Sequence, residues 1–165
     1  MQSEEFVTNS AEETTQLGRR IAARLSVPAL VLLKGDLGAG KTTLTKGIIA
    51  GLGTAEEEEV TSPTFTLIHV FQRPGAQPMK VYHADLYRIE GPQGLDSLGL
   101  DDILSEPCIL IVEWSERLTL RSDWPIVRIE LEHLGGDRRT IRVTGLEAFA
   151  AGSNPASQAA AQNAK

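Results

Sequence analysis

The sequence contains a single cysteine, Cys108, in 165 residues, so no disulfide framework can form within the chain. Cys108 lies in an apolar run and reads as a small buried apolar residue. Aromatic residues make up only 5%, which leaves the core to aliphatic side chains. An excess of positive charge is also missing: 16 Lys and Arg stand against 22 Asp and Glu, a net charge of −6. That balance excludes broad electrostatic attachment to nucleic acid or an anionic membrane, although not a local basic patch. The longest apolar runs are five or six residues, far short of the roughly 20 needed to span a bilayer. Residues 1–10 are polar and acidic rather than a secretion signal. No segment repeats. The expectation is a soluble, cytoplasmic chain, long enough for one α/β domain.

What is present is concentrated in Gly35-Asp36-Leu37-Gly38-Ala39-Gly40-Lys41-Thr42-Thr43, which satisfies G-x-x-x-x-G-K-[ST] at every position. The apolar run Ala29–Leu33 precedes it and Leu44-Thr45-Lys46-Gly47-Ile48-Ile49 follows. Strand, glycine loop and helix in that order turn the pattern into a phosphate-site prediction. Glycines let the backbone bend round phosphates with its N–H groups inward, and the helix N-terminus adds partial positive charge. The predicted nucleotide-binding residues are Leu37, Gly38, Ala39, Gly40, Lys41, Thr42 and Thr43. Lys41 reaches the β/γ-phosphates, and the Thr42 hydroxyl holds Mg²⁺. The competing reading is a glycine-rich turn with an incidental Lys-Thr.

Other elements can be placed around this loop. Residues 1–9 form an extended lead with Phe6 and Val7 as anchors. Ser10-Ala11-Glu12-Glu13 fits a capping box, and Leu17, Ile21 and Leu25 recur at helical spacing over about 11–25, stopped by Pro28. The helix after the loop runs from about Thr42 to Leu52, with Gly53 as its C-terminal cap. Residues 65–71 and 80–86 make one hairpin, and residues 126–132 and 140–144 a second. Between the hairpins, residues 91–106 form a loop with a short helix or two, packed through Leu95, Leu98, Leu100, Ile103 and Leu104. Asp96–Gly99 spells D-x-x-G, but follows no strand, and no N-K-x-D guanine motif accompanies it. Residues 1–145 are expected to form the domain and 146–165, rich in Ala, Gln, Asn and Ser, a disordered tail.

Three further stretches carry candidate chemistry. Val60-Thr61-Ser62-Pro63-Thr64-Phe65 is either a loop in which Thr64 senses the γ-phosphate or a turn into the next strand. Asp85 ends a strand, where a carboxylate contacts Mg²⁺ or orients water; the plain alternative is a surface Asp paired with Arg88. Ile109-Leu110-Ile111-Val112-Glu113-Trp114 reads as a central parallel strand with an acid at its carboxyl end, and Glu113 fits the Walker B role. Arg138 and Arg139 either blunt a sheet edge or bring one guanidinium, taken as Arg139, to the phosphates. His69 and His83 have no metal-ligand spacing and read as structural.

Taken together, Gly35–Thr43, Ser62-Pro63-Thr64-Phe65-Thr66-Leu67, His83-Ala84-Asp85-Leu86-Tyr87-Arg88, Leu98-Gly99 and Val112-Glu113-Trp114 resemble the bacterial TsaE (YjeE) family. Ala84 and Ser115 depart from its usual Phe and Pro, which touches packing more than chemistry. The resemblance implies an α/β fold: a single P-loop domain with a mostly parallel central sheet, antiparallel hairpins and flanking helices. It implies slow ATP hydrolysis with Mg²⁺, in the making of threonylcarbamoyladenosine at tRNA position 37. The implied partner is the TsaB–TsaD pair, so that tRNA is met only through the complex. Lys41, Asp85 and Glu113 would be catalytic, Thr42, Glu113 and Asp85 would hold metal, and Trp114 would lie near the nucleotide or the partner. No arginine stands out as a finger in cis, which agrees with slow turnover alone. The rival readings are a P-loop small-molecule kinase and a non-catalytic nucleotide-gated module.

Overall fold

The structure is a computed structural model that describes residues 2–61, 63 and 67–149. The described residues contain one seven-stranded sheet: β1 (Ser3–Thr8), β2 (Ala29–Lys34), β3 (Ile68–Arg73), β4 (Met79–Asp85), β5 (Ile109–Glu113), β6 (Ile126–Gly135) and β7 (Arg138–Thr144), in the order β1-β7-β6-β2-β5-β4-β3. Strands β6, β2, β5 and β4 are mutually parallel, and β7, β1 and β3 join antiparallel at the two sides. The mostly parallel centre with antiparallel additions matches the sequence expectation. β5 is buried at every position, as an unbroken apolar strand covered on both faces must be.

One face of the sheet carries α1 (Ala11–Ala22) and α2 (Lys41–Gly51). Ser10 caps α1 by accepting from the Glu13 amide at 3.0 Å, and the Glu13 carboxylate reaches back to the Asn9 amide. The helix stops at Ala22 rather than 25, because Arg24 and Leu25 tighten onto Ile21 and Ala22 by i→i−3 bonds. The two helices touch backbone to backbone. A Cβ on Gly47 would stand 2.0 Å from the Thr15 carbonyl oxygen, and one on Gly18 would stand 2.4 Å from that of Leu44. Leu17, Ile21, Leu44 and Ile48 are all buried beneath this contact, each stabilising the fold by about 1.5–3 kcal/mol. Gly53 lies past the end of α2 as expected, and Arg73 donates to the free Leu52 carbonyl at 3.0 Å.

The opposite face is covered by α3 (Gly91–Asp96), α4 (Leu100–Ile103) and irregular chain. Leu100 is buried, whereas Leu95, Leu98, Ile103 and Leu104 are only partly covered against Leu30, Leu32, Leu110 and Val112. Asp96–Gly99 forms the link between these two short helices.

Two further boundaries move. The extended lead is β1, paired to β7 from Ser3↔Thr144 to Thr8↔Arg139. Neighbouring side chains in a strand face opposite ways, so Phe6 packs on the core and Val7 is exposed. The folded part also runs past residue 145: Leu146–Phe149 forms a 3-10 turn whose Leu146 and Phe149 are buried in the core under α1 and α2. Residues 150–165 lie outside the described residues.

Candidate nucleotide site

The carboxyl ends of the parallel strands and the N-terminus of α2 meet at one cleft of about 440 Å³. Its walls include Leu37, Gly38, Gly40, Lys41, Thr42 and Thr43 from the glycine loop, Asp85 from β4, Glu113 and Trp114 from β5, and Arg139 from β7. Ligands bind beyond the carboxyl ends of such strands, where loops diverge and backbone groups are free. Of the residues singled out in the sequence, the structure places all of these together. Ala39 is the exception among the loop residues: it is buried in the core and anchors the loop from beneath. Thr64 lies outside the described residues.

The loop takes its shape from glycine. Gly38 and Gly40 have φ of 80° and 102°, and Gly40 starts α2 without a side-chain cap. No side chain caps the first N–H groups of the helix, which lie at the cleft beside the Arg139 side chain. Lys41 is buried and its Nζ donates to the Gly35 and Asp36 carbonyl oxygens, at 2.5 and 2.8 Å. Burial pushes its pKa below the ordinary lysine value, opposed by the carboxylates of Glu113, Glu116, Asp85 and Asp36. The Trp114 ring lies over the ammonium, 4.2 Å from Nζ to the ring centroid.

The acids come into register because β4 and β5 are parallel, with Asp85 opposite Glu113. Alternation puts Val81, His83 and Asp85 on one face of β4 and Ile109, Ile111 and Glu113 on the same face of β5. That face is apolar under the helices and ends in carboxylates at the cleft. The Glu113 Oε1 accepts from the Thr42 hydroxyl at 2.8 Å. Its Oε2 meets Nε2 of His83, which is fully buried. Asp85 Oδ1 accepts from the Tyr87 amide at 2.9 Å, turning the chain out of β4.

A hydroxyl oxygen touching a carboxylate is the hard-oxygen pair that suits a magnesium ion. No group of three or more His, Cys, Asp or Glu among the described residues is disposed to hold a metal. An ion here would take one or two protein ligands, with phosphate and water as the rest, the usual way of binding magnesium.

Trp114 has φ of 59°, the left-handed region, in which a bulky residue is strained. The turn sends its ring back over the loop, 5.0 Å from the Tyr87 ring. Arg117 stacks on both rings and donates to the Leu86, Tyr87 and Ile89 carbonyls, so the two strand exits are tied together. The Arg139 Nη1 donates to the carbonyls of Gly136 and Arg138 in its own hairpin turn, at 3.0 Å each.

Sequence reading passed over several residues here. Pro63, Leu67, Tyr87 and Arg88 also line the cleft, and His83 contacts Glu113 rather than only filling space. The one available signal was the H-x-D spacing, which sets His83 and Asp85 on the same strand face.

A site of this composition on this fold has known relatives. The sequence model described as threonylcarbamoyl adenosine biosynthesis protein TsaE matches residues 8–141. The tRNA threonylcarbamoyladenosine biosynthesis protein TsaE of Rickettsia bellii is 36% identical over 144 residues, 87% of this chain and 96% of its own. Its Streptomyces coelicolor counterpart is 42% identical over 138 residues, 79% of this chain and 89% of its own. The crystal structure of Bacillus subtilis YdiB superposes with a TM-score of 0.63 at 28% identity, covering 99% of this chain and 97% of that one. With the family model spanning the whole glycine loop, both acids and the sheet around them, the chain belongs to the TsaE family.

Proposed function

We propose that this protein binds ATP with Mg²⁺ in the cleft and hydrolyses it slowly to ADP and phosphate. It does so as an accessory ATPase for threonylcarbamoyl modification of adenosine 37 in tRNA. The observation that carries the reading is the convergence of Lys41, Thr42, Asp85 and Glu113 on one cleft at the start of α2. The amides of Gly38–Thr43 and the Lys41 ammonium hold the triphosphate. Thr42 and Glu113 hold the magnesium ion, Glu113 directly or through water. The bound ion supplies neutralisation of charge on the β- and γ-oxygens. Asp85 shares the ion or positions the attacking water, whose oxygen displaces the β–γ bridging oxygen at the γ-phosphorus. Thr64 is assigned to γ-phosphate sensing, and Trp114 and Arg139 to nucleotide contact.

Arg139 donates to its own hairpin turn while its side chain lies beside Gly40, and Arg88 lines the same cleft. The partner in this reading is the TsaB–TsaD pair, and the setting is the cytoplasm, where tRNA is modified. No helix among the described residues is long and apolar enough to cross a membrane. The acidic net charge of −6 agrees with tRNA reached through the complex rather than gripped directly.

Reconstitution with the TsaB–TsaD pair and tRNA tests the reading. Repeated rounds of modification are expected with ATP, and a stall after the first round with a non-hydrolysable analogue. Equal multiple turnover with both nucleotides would favour the nucleotide-gated module. A phosphorylated metabolite in place of free phosphate would favour the kinase.

A further inference from the structure

We infer that His83 is a positioning residue that fixes the Glu113 carboxylate for magnesium binding, an inference that rests on the proposed Mg²⁺·ATP site. Glu113 is 2% exposed, and its two oxygens are divided between two partners: Oε1 accepts from Thr42 and Oε2 faces His83 Nε2. An ionised carboxylate can only accept, so Nε2 is the donor. His83 is itself wholly buried, on the strand next to that of Glu113 and two residues before Asp85, among the apolar side chains of the helical face. Its Nδ1 has no hydrogen-bond partner among the described residues. The polar contact that holds the ring in place is therefore the one to Glu113, with the His69 ring edge-on 6.5 Å away.

A buried imidazole with a single polar contact is a poor way to fill a core. Its burial without full pairing is unfavourable, and an aliphatic residue would avoid it. The arrangement makes physical sense as a tether. A glutamate has three side-chain torsions to order, and at the end of β5 it emerges beside a cleft. Anchoring Oε2 from within the sheet holds Oε1 at the cleft as the coordinating atom, where it accepts from the Thr42 hydroxyl. Partners of this kind, which touch a ligand rather than the metal, alter metal affinity or activity by about 10–100-fold when removed.

His83→Gln and His83→Met have side chains of equal length, and only Gln can donate from the Nε2 position. The test is Mn²⁺ binding by electron paramagnetic resonance in the presence of a non-hydrolysable ATP analogue. Metal-free ATP affinity and thermal melting are measured in parallel. His83→Met is expected to weaken Mn²⁺ binding at least ten-fold with metal-free ATP affinity unchanged, and His83→Gln to stay within about three-fold of wild type. Equal weakening by both variants, or by neither, would overturn the assignment. Should His83→Met not fold, His83→Gln decides alone: retained metal affinity supports the tether, and a ten-fold loss in a folded protein overturns it. A wild-type protein that binds no Mn²⁺ with the analogue would instead refute the Mg²⁺·ATP reading itself.

Discussion

The two faces of the sheet are built to different tolerances, and the cleft lies where they meet. On one face α1 and α2 approach so closely that Gly18 and Gly47 admit no side chain, and most of the apolar side chains beneath them are buried, with Phe6, Phe71 and Met79 partly open at the margin. On the other, two helices of six and four residues leave Leu95, Leu98 and Ile103 partly open. Lys41 and Thr42 belong to the closed face, whereas Trp114, Tyr87 and Arg117 belong to the open one. The groups that would grip phosphate and metal are thus mounted on the rigid side, and the aromatic cover on the side with fewer constraints. A rigid mount preserves the orientation of the amides; a looser cover lets the cleft admit and release a ligand.

The contrast can be broken most forcefully at the helix contact. Gly47→Val would drive a branched side chain into the Thr15 carbonyl and is expected to cost about 3 kcal/mol or more. Leu98→Ala on the open face is expected to cost about 1 kcal/mol. Denaturant melts of the two variants give the comparison directly, and equal losses would erase the distinction between the faces.

At the site itself, Lys41→Ala is expected to weaken ATP binding by about 10²-fold or more, since it removes a charge-assisted donor from the cleft. Glu113→Gln should lower hydrolysis by a factor on the order of 10² while ATP still binds. Trp114→Leu, on the open side, should change affinity only a few-fold. Fluorescence titration and phosphate release separate the three. A Trp114 variant as damaged as the Lys41 variant would put the rigid and loose roles the wrong way round.

A pH titration sharpens the same picture. Burial lowers the Lys41 pKa below 10.5, so the ammonium is lost earlier than that of an exposed lysine as pH rises. ATP affinity is expected to fall on the alkaline side at a pH below ordinary lysine titration, and Lys41→Arg should move that limb upward. The sign for stability is opposite: the folded state holds this proton less tightly than the unfolded one, so the group's penalty eases as pH rises through its folded pKa. The smallest effect concerns Cys108, whose thiol burial raises to about 11. At pH 8 about one molecule in 10³ carries the thiolate, so alkylation of the native protein should be slow and become fast only on unfolding.

Much of this was legible in the chain because it is local. The glycine loop, the acid closing an apolar strand and the second hairpin are short-range patterns that appear where the spacing put them; the first hairpin is present too, with its first strand at Ile68–Arg73 rather than 65–71, of which 65 and 66 lie outside the described residues. What the sequence concealed is long-range. Nothing near Phe6 announces that β7, more than 130 residues on, supplies its partner strand. Nothing near Leu146 shows that the helices leave room for it and Phe149. His83 looked inert for the same reason: its partner, Glu113, comes from another strand, and only the parallel register joins them. The left-handed turn at Trp114 has no glycine or asparagine to signal it.

The most direct test of the site is a crystal structure with Mg²⁺ and a non-hydrolysable ATP analogue. The account predicts the triphosphate wrapped by Gly38–Thr43, Lys41 swung from its two loop carbonyls onto phosphate oxygens, and the metal beside Thr42 and Glu113. A nucleotide bound elsewhere, or phosphates in the loop with Asp85 and Glu113 turned to bulk solvent, would contradict it.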